Sequence, residues 1–319
     1  MSEKLRVGFA GLTCSGMPKR FALCMKENFD ALTLTAAWDP DPGACEEFCK
    51  ELGTEAAEAP EAVAAQSDVI VMDVKSCDTA EVGSTILKAG CALYVSKPLA
   101  NNLENGRKLI AASRESGSPM LATSTMRYQE GTQEAAKRVA DGELGPLQLA
   151  FVVLHHEVFS YLTPESEWHV SLKASGGPLV YFGVHAADML EEIIGFEDID
   201  WIETFSATLQ YADHPLFRAE KLSDTDVVNI KYKDGKMATM HVGSGVGHYA
   251  YGGLITGYKD SHWFRSGNDY PSIIEKIVEM VTTGTSPHSL ERTENVMKVL
   301  DLATRSGREG RRIDFAKEQ

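Results

Sequence analysis

Hydrophobic and polar positions follow two different patterns along the chain, and the first 124 residues carry the simpler one. Short apolar runs predict buried strands, and segments with apolar residues three and four apart predict helices between them. The predicted strands are Leu5–Ala10, Leu32–Trp38, Asp68–Met72, Ala92–Val95 and Met120–Thr123, and the predicted helices are Met17–Lys26, 43–52, 79–89 and Leu103–Ser116. Strands that alternate with helices at this spacing predict a doubly wound parallel sheet.

From residue 131 onwards, consecutive strand-like runs replace this alternation. The predicted strands are Leu147–His155, Trp201–Tyr211, Asp226–Tyr232, Met237–Gly243 and Gly253–Tyr258, and the predicted helices are Thr132–Ala140, Tyr181–Ile194, Ser272–Thr282 and Leu290–Gly307. Turn residues such as Lys233-Asp234-Gly235 between two of these strands favour a largely antiparallel sheet. We therefore expect an α/β protein with two domains, residues 1–124 and 125–319, of which the second is of α+β type.

Functional side chains are expected just beyond the strands of the first domain, because ligands bind at the carboxyl ends of the strands in such sheets. The residues in these places are Thr13, Asp39, Val74 to Cys77, Ser96 to Pro98 and Ser124 to Tyr128.

The turn after the first strand has glycines in places typical of a dinucleotide site. Gly11 and Gly16 occupy the first and third places of the pattern G-x-G-x-x-G, and Thr13 occupies the second. Asp39 follows the second strand at about the spacing, roughly 20 residues, expected of a carboxylate that binds the ribose hydroxyls. Its charge favours NAD over NADP, whose extra phosphate it would repel. Glycine and serine also mark ordinary turns, and Asp39 also fits a helix cap, so these alternatives stay open.

Composition excludes several classes of partner. A formal net charge of −15 disfavours nucleic acid and anionic membranes. No apolar run approaches the roughly 18 to 20 residues that span a bilayer, and the first residues lack the apolar core of a signal peptide, so a cytoplasmic protein is expected. The six cysteines lack zinc-like spacing and are expected to be reduced, mostly buried thiols.

Two residues have side chains suited to hydride-transfer chemistry. Lys97 follows a predicted core strand and precedes Pro98, which favours an extended backbone at Lys97. Its ammonium there can hydrogen-bond a substrate hydroxyl and stabilise negative charge on the oxygen. His185 shares one predicted helix face with Tyr181 and Asp188, and an imidazole is a natural base for an alcohol proton. An exposed lysine and a structural histidine are the alternatives.

The remaining polar groups give weaker indications. Neighbouring residues of a strand point to opposite faces, so His155 and His156 would not readily share one ion, and no metal site is expected. The side chains that would suit the wall of a sugar-sized pocket are Arg127, Tyr128, Trp168, His248 and Tyr249, and for each of them a structural or surface role is the alternative.

Several short motifs, in order along nearly the whole chain, make it resemble the Gfo/Idh/MocA family, the relatives of glucose-fructose oxidoreductase and inositol dehydrogenase. They are the Gly11 to Gly16 turn, Asp39-Pro40-Asp41, Lys97-Pro98-Leu99, Met126-Arg127-Tyr128, 141–146, Gly176-Gly177, Gly183-Val184-His185 and 306–312.

The resemblance implies an N-terminal Rossmann domain that holds NAD or NADP, and a C-terminal sheet domain that supplies the substrate site and often an oligomer interface. It implies oxidation or reduction of a sugar, sugar derivative or polyol, with Lys97 and His185 in the active site and Tyr181 assisting. A homo-oligomer, either a dimer or a tetramer, is expected. Residues expected to contact the cofactor are Gly11, Thr13, Cys14, Ser15, Gly16, Asp39 and Lys97, and those expected to contact substrate are Arg127, Tyr128, His156, Trp168 and His185.

Three residues depart from the family pattern. Ser96 stands where the family has glutamate, Thr13 where it has the middle glycine, and Tyr181 where it has an aspartate four residues before the histidine. A phenol can orient His185 only by hydrogen bonding. Two further functions therefore stay open: elimination or glycosidic cleavage through transient oxidation, and binding of nucleotide or sugar without catalysis.

Overall fold

The computed structural model describes residues 4–317. Its strands are β1 (Leu5–Ala10), β2 (Leu32–Trp38), β3 (Glu55–Ala56), β4 (Val69–Met72), β5 (Ala92–Val95), β6 (Met120–Ala122), β7 (Leu147–His155), β8 (Ile199–Ala207), β9 (Thr225–Tyr232), β10 (Met237–Gly243), β11 (Ala250–Gly257), β12 (Ser261–Arg265) and β13 (Ile313–Asp314). Its α-helices are α1 (Met17–Asn28), α2 (Pro42–Leu52), α3 (Pro60–Ala64), α4 (Thr79–Lys88), α5 (Leu103–Ser116), α6 (Glu130–Ala140), α7 (Leu172–Ser175), α8 (Pro178–Tyr181), α9 (Val184–Ile194), α10 (Pro215–Glu220), α11 (Tyr270–Thr283) and α12 (Leu290–Glu309). Within this range no helix is long and apolar enough to cross a membrane.

The chain divides into two compact units. Unit 1 contains the described residues up to Ala100 together with Glu104–Thr123 and Asp269–Thr293. Unit 2 contains Asn101–Leu103, Ser124–Asn268 and the described residues from Glu294. A single boundary at residue 124 therefore does not describe α11, which lies in unit 1.

Unit 1 is built on a six-stranded sheet in the order β3-β2-β1-β4-β5-β6. All of its pairings are parallel, which confirms the predicted doubly wound sheet. The strands β4 and β5 are buried along their whole length because every residue in them is apolar. Because these strands are parallel, the carboxyl ends of β1, β2, β4 and β5 lie at the same end of the sheet, which we call the carboxyl edge.

Unit 2 is built on a seven-stranded sheet in the order β12-β11-β7-β10-β9-β8-β13. Its pairings are antiparallel except for β7 with β10, so the predicted largely antiparallel sheet is confirmed. Helices α6 and α9 pack on one face of the sheet. The other face, which we call the outer face, exposes apolar side chains that include Phe205, Met237 and Trp263.

The predicted helix Tyr181–Ile194 is wrong as a single element. The structure has α8, which ends at Tyr181, and α9, which begins at Val184, with a turn at Phe182 and Gly183 between them. Glycine is required at this turn because a Cβ on residue 183 would lie 2.2 Å from the carbonyl oxygen of Leu179. Tyr181 and His185 therefore do not share the face of one continuous helix.

Candidate active site

The turn from Gly11 to Gly16 lies at the carboxyl edge and leads into α1. Gly11 has a φ of 79°, and a Cβ there would lie 2.6 Å from the carbonyl oxygen of Asp73, so only glycine fits. Gly16 is the N-cap of α1, has a φ of 66° and has no side chain to offer the first N–H groups of the helix. The first turn of the helix thus presents backbone donors to an anion.

Asp39 follows β2 and fixes the shape of this turn. Its Oδ2 accepts hydrogen bonds from the N–H of Leu12 at 2.6 Å and from the hydroxyl of Thr13 at 3.3 Å, and its Oδ1 accepts from the N–H of Asp41 at 2.9 Å. The helix α2 is capped by Asp41, whose Oδ1 accepts from Gly43 N–H at 2.9 Å. The alternative role of Asp39 as a helix cap is therefore filled by Asp41, two residues further along the chain.

Lys97 and Asp73 form a charged pair at the ends of β5 and β4. The strands are in register at Met72 and Val95, which places Asp73 beside Ser96, the residue before Lys97. Burial lowers the pKa of Lys97 to about 8, and the charge of Asp73 acts in the opposite direction. Burial likewise raises the pKa of Asp73, while the hydrogen bond from Ser15 and the charge of Lys97 oppose the rise. The Lys97–Pro98 peptide bond is cis.

These residues fit a dinucleotide. Thr13 and Gly16 are exposed at the turn, and no atom lies within 4 Å of a Cβ built at Gly16, so a phosphate can approach the backbone there. Thr13 in the second glycine position is exposed, and its hydroxyl donates to Asp39 Oδ2 at 3.3 Å. Cys14 and Ser15 are half-buried in the same turn. The Gly11 to Gly16 turn would hold the pyrophosphate, and Asp39 would lie near the adenosine ribose.

In unit 2, His185 is buried at the first turn of α9 and is held from the end of β6. The hydroxyl of Ser124 lies 2.5 Å from its Nδ1 and also accepts a hydrogen bond from the N–H of Met126 at 3.1 Å. The N–H of Ser124 donates to Asp188 Oδ2 at 2.5 Å. Burial raises the pKa of Asp188, and the charge of Arg127 opposes this. Ser124 therefore provides the side-chain hydrogen bond that orients the imidazole of His185.

Arg127, expected to contact substrate, has no exposed surface and lies among carboxylates. Its guanidinium donates to Asp188 Oδ1 at 2.8 Å, Glu191 Oε2 at 2.5 Å and Glu192 Oε2 at 2.9 Å. Tyr128 beside it is half-buried. These ion pairs tie the segment after β6 to α9, the helix that carries His185.

Tyr181, Trp168 and His156 belong to one group of rings in unit 2. Tyr181 lies with its ring centroid 5.1 Å from His169 and 5.8 Å from Trp168, which stacks on His169 at 3.7 Å. Phe182 joins Tyr181 to His156, at 5.1 Å and 4.8 Å respectively. We call this group, completed by Tyr161 and Tyr249, the aromatic cluster.

The two neighbouring histidines of β7 lie in different surroundings. His156 is part of the aromatic cluster, whereas His155 Nδ1 lies 2.9 Å from His248 Nε2, and its Nε2 lies 3.2 Å from His241 Nδ1. In the part of the chain that the structure describes, no group of three or more histidine, cysteine or acidic side chains is arranged to hold a metal ion.

Sequence reasoning missed Asp73 and Ser124 as site residues. Asp73 is the first residue after β4, and the signal that would have found it is an acidic residue directly following a wholly apolar strand. Ser124 lies in the segment Ser124 to Tyr128, which was predicted to be functional because it follows a strand. Its contact with His185 was not predicted, because that residue is 61 positions away in sequence. Contacts over such separations leave no local pattern.

Two family models match the chain. One is described as an oxidoreductase family with an NAD-binding Rossmann fold and matches residues 5–123, and the other is the GFO/IDH/MocA C-terminal domain and matches residues 132–260.

Individual relatives are more distant. A protein of Amycolatopsis mediterranei, assigned as the oxidoreductase subunit of a UDP-kanosamine synthase, is 30% identical over 193 residues, which cover 60% of this chain and 52% of that protein. The 2,7-anhydro-N-acetylneuraminate hydratase of Escherichia coli is 23% identical over 177 residues, which cover 53% of this chain and 44% of that protein. The chain thus spans about half the length of these curated relatives.

A solved structure shares the fold over nearly the whole chain. The WlbA dehydrogenase of Bordetella pertussis, in complex with NADH and UDP-GlcNAcA, superposes with a TM-score of 0.85 at 18% identity and covers 98% of each chain. At this level of identity the similarity demonstrates the fold alone.

Proposed function

Because the chain belongs to the Gfo/Idh/MocA family of NAD-binding oxidoreductases, we propose that it transfers a hydride between a nicotinamide cofactor and a sugar, sugar derivative or polyol. The observation that carries this proposal is Lys97. It follows a core strand of a Rossmann sheet, on the same carboxyl edge as the glycine turn, and burial brings its pKa to about 8. A group that titrates close to neutral pH is suited to hold or exchange a proton at the reacting oxygen.

The cofactor, when bound, supplies the hydride acceptor or donor. In this proposal Lys97 hydrogen-bonds the reacting oxygen and stabilises its negative charge. His185 exchanges the hydroxyl proton, and Ser124 at Nδ1 orients the ring so that Nε2 serves the substrate. Asp39 binds the ribose and favours NAD over NADP.

The substrate class rests on the aromatic cluster and on the relatives. Aromatic faces next to imidazoles suit the mixed apolar and polar faces of a sugar ring. We assign Tyr181, Trp168 and His156 to the substrate pocket, and we assign Arg127 to the support of α9, because its guanidinium is buried against three carboxylates. The named activities of two relatives, on a UDP-sugar and on a sialic acid derivative, support a sugar substrate.

A cofactor assay tests the proposal. The near-ultraviolet absorbance of NADH is followed with a panel of sugars, polyols and nucleotide sugars, and one of them should change it. Lys97→Met and His185→Asn should each lower kcat by about 100-fold or more, and the double variant should lose less than the sum of both effects if the two residues act on one substrate. His288→Asn, which removes a buried histidine bonded to Thr293, is the matched control. Absorbance that never changes with any member would contradict the proposal.

One relative favours a second function, elimination or hydration without net redox change. The E. coli relative is named a hydratase. For this function, mass spectrometry would detect product from a panel member while the cofactor absorbance returns to its starting value. A non-catalytic binding protein is the third alternative, and loss of turnover in folded His185→Asn would exclude it.

We also propose that the outer face of the unit 2 sheet pairs two copies of the chain in a dimer or tetramer. On this face Phe205 is 61% exposed and Trp263 is 71% exposed. Exposed apolar patches of this kind often mark a protein–protein interface. Light scattering should show an oligomer that Phe205→Glu with Trp263→Glu dissociates. Phe159→Glu changes an aromatic residue that is 76% exposed and belongs to no strand of the sheet, and it should leave the mass unchanged. A monomeric parent protein would refute this.

A further inference from the structure

Asp73 is a buried carboxylate at the carboxyl edge to which the proposed chemistry gives no role. It is 5% exposed, and its backbone is fixed in the sheet because its N–H donates to the carbonyl of Ala10 at 2.9 Å. On the other side, the N–H of Ser96 donates to the carbonyl of Met72 at 2.9 Å. Asp73 therefore cannot move away from the start of the segment that carries Lys97.

The carboxylate of Asp73 joins two parts of the proposed site. Its Oδ2 accepts a hydrogen bond from the hydroxyl of Ser15 in the glycine turn at 2.5 Å. It also interacts electrostatically with Lys97, and each of the two groups favours the charged form of the other. The residue before Lys97 is a serine, so the carboxylate beside this ammonium comes from the neighbouring strand.

A buried acid is costly unless something compensates its charge. Moving a carboxylate out of water without a partner costs several kcal/mol, which is why such groups occur where a specific partner is held. Asp73 has a hydroxyl on one side and an ammonium on the other. Other ionisable groups at this edge are Asp39, Lys75, Asp78 and the thiol of Cys14.

We propose that Asp73 is a positioning residue for Lys97, which holds the ammonium at the carboxyl edge and connects it to Ser15 of the cofactor-binding turn. This role rests on the proposed function, because Lys97 matters only if its ammonium meets a substrate. In this role, a dinucleotide bound at the turn contacts Ser15, and the hydrogen bond from Ser15 to Asp73 transmits this contact to the position of Lys97.

The test is the pKa of Lys97 in the full-length protein without substrate. An amine-reactive reagent labels the unprotonated lysine, and mass spectrometry of the Lys97 peptide gives the labelling rate as a function of pH. The midpoint should lie near pH 8 in the parent protein. In Asp73→Asn it should fall by about one unit or more, since the charge that favours the ammonium is lost. A fall of one unit lowers the ratio of protonated to unprotonated Lys97 about tenfold at any given pH.

Asp78→Asn is the matched control, because it removes a carboxylate from the same edge and should leave the midpoint unchanged. If Asp73→Asn does not fold, Asp73→Ala should give the same downward shift. An unchanged midpoint in a folded Asp73 variant would overturn the role of Asp73. The basic limb of the pH profile of kcat/KM should move with the midpoint.

The two proposals fail in different ways. If no sugar, polyol or nucleotide sugar changes the cofactor absorbance, the oxidoreductase function fails while the labelling midpoint still reports the Asp73 interaction. If the midpoint does not respond while Lys97→Met abolishes turnover, the function stands and Asp73 is only a structural residue.

Discussion

Replacing Asp39 by asparagine should narrow the preference of the protein for NADH over NADPH. The carboxylate lies at the end of β2, where the adenosine ribose binds in this fold. A 2′-phosphate carries a charge of about −1.5 to −2. At a separation of about 5 Å and an effective dielectric constant of about 20, each unit of charge is repelled by roughly 3 kcal/mol. Screening by salt reduces this, so we expect the variant to change the ratio of the two affinities by about 10- to 100-fold.

The same substitution has a second effect that must be separated from the first. Oδ2 of Asp39 accepts from Leu12 N–H at 2.6 Å, and Oδ1 accepts from Asp41 N–H at 2.9 Å. Asparagine has one acceptor oxygen, so one of these two N–H groups loses its partner, at a cost of about 1–3 kcal/mol. This loss distorts the turn and should weaken both nucleotides to a similar extent. The ratio of affinities is therefore the quantity that reports the charge.

Fluorescence titrations with NADH and NADPH at one fixed salt concentration measure this ratio. Asp41→Asn is the control, because it removes a charge two residues away while asparagine still caps α2. The ratio should change in the Asp39 variant and stay near the parent value in the Asp41 variant. An Asp39 variant that binds both nucleotides with the parent ratio would refute the reasoning.

Three further predictions follow from burial, charge and close contacts in the structure. Burial raises the pKa of Asp226 to about 6, above its unfolded value, so ionisation of this carboxyl lowers the stability of the protein as pH rises from about 4 to above 6. In urea unfolding, the stability of Asp226→Asn relative to the parent should increase by about 1–2 kcal/mol between pH 5 and pH 7.5. A stability difference between variant and parent that is equal at both pH values would contradict this. Arg127→Met leaves three carboxylates without their cation and should lower the free energy of unfolding by about 3–5 kcal/mol; a variant of parent stability with a raised KM would support the substrate role instead. Gly11→Ala should lower the free energy of unfolding by about 1–3 kcal/mol more than Gly16→Ala does. The reason is that only the first substitution places a Cβ 2.6 Å from the carbonyl oxygen of Asp73. Equal losses in urea unfolding would argue against this close approach.

The strands of this protein were predictable where their residues are apolar and their ends are marked. The bounds of β1, β2, β5, β7 and β10 agree with the predicted ones. The strand β12, with the sequence Ser-His-Trp-Phe-Arg, lacks a continuous apolar run, and β3 and β13 are only two residues long, so none of these was predicted. These three strands form because they pair with neighbouring strands, and their own sequences carry no strand pattern.

The candidate site was predictable where one residue carries its own signal. Lys97 before Pro98, and the Gly11 to Gly16 turn, are recognisable by position. The partners that tune these groups are not, because Ser15 meets Asp73 across 58 residues and Ser124 meets His185 across 61. The break at Gly183 was also hidden, since a glycine inside a helical pattern is often tolerated.

The position of α11 affects how this protein can be made and dissected. Tyr270 at its start packs edge-on against Phe21, with ring centroids 5.3 Å apart, and its hydroxyl accepts a hydrogen bond from Arg20 at 3.3 Å. A ribosome must therefore synthesise the chain through residue 283 before the nucleotide-binding unit has its last helix. A fragment that stops near residue 124 would leave the surface beneath that helix in contact with water, and we expect it to aggregate instead of retaining an independent capacity for NADH.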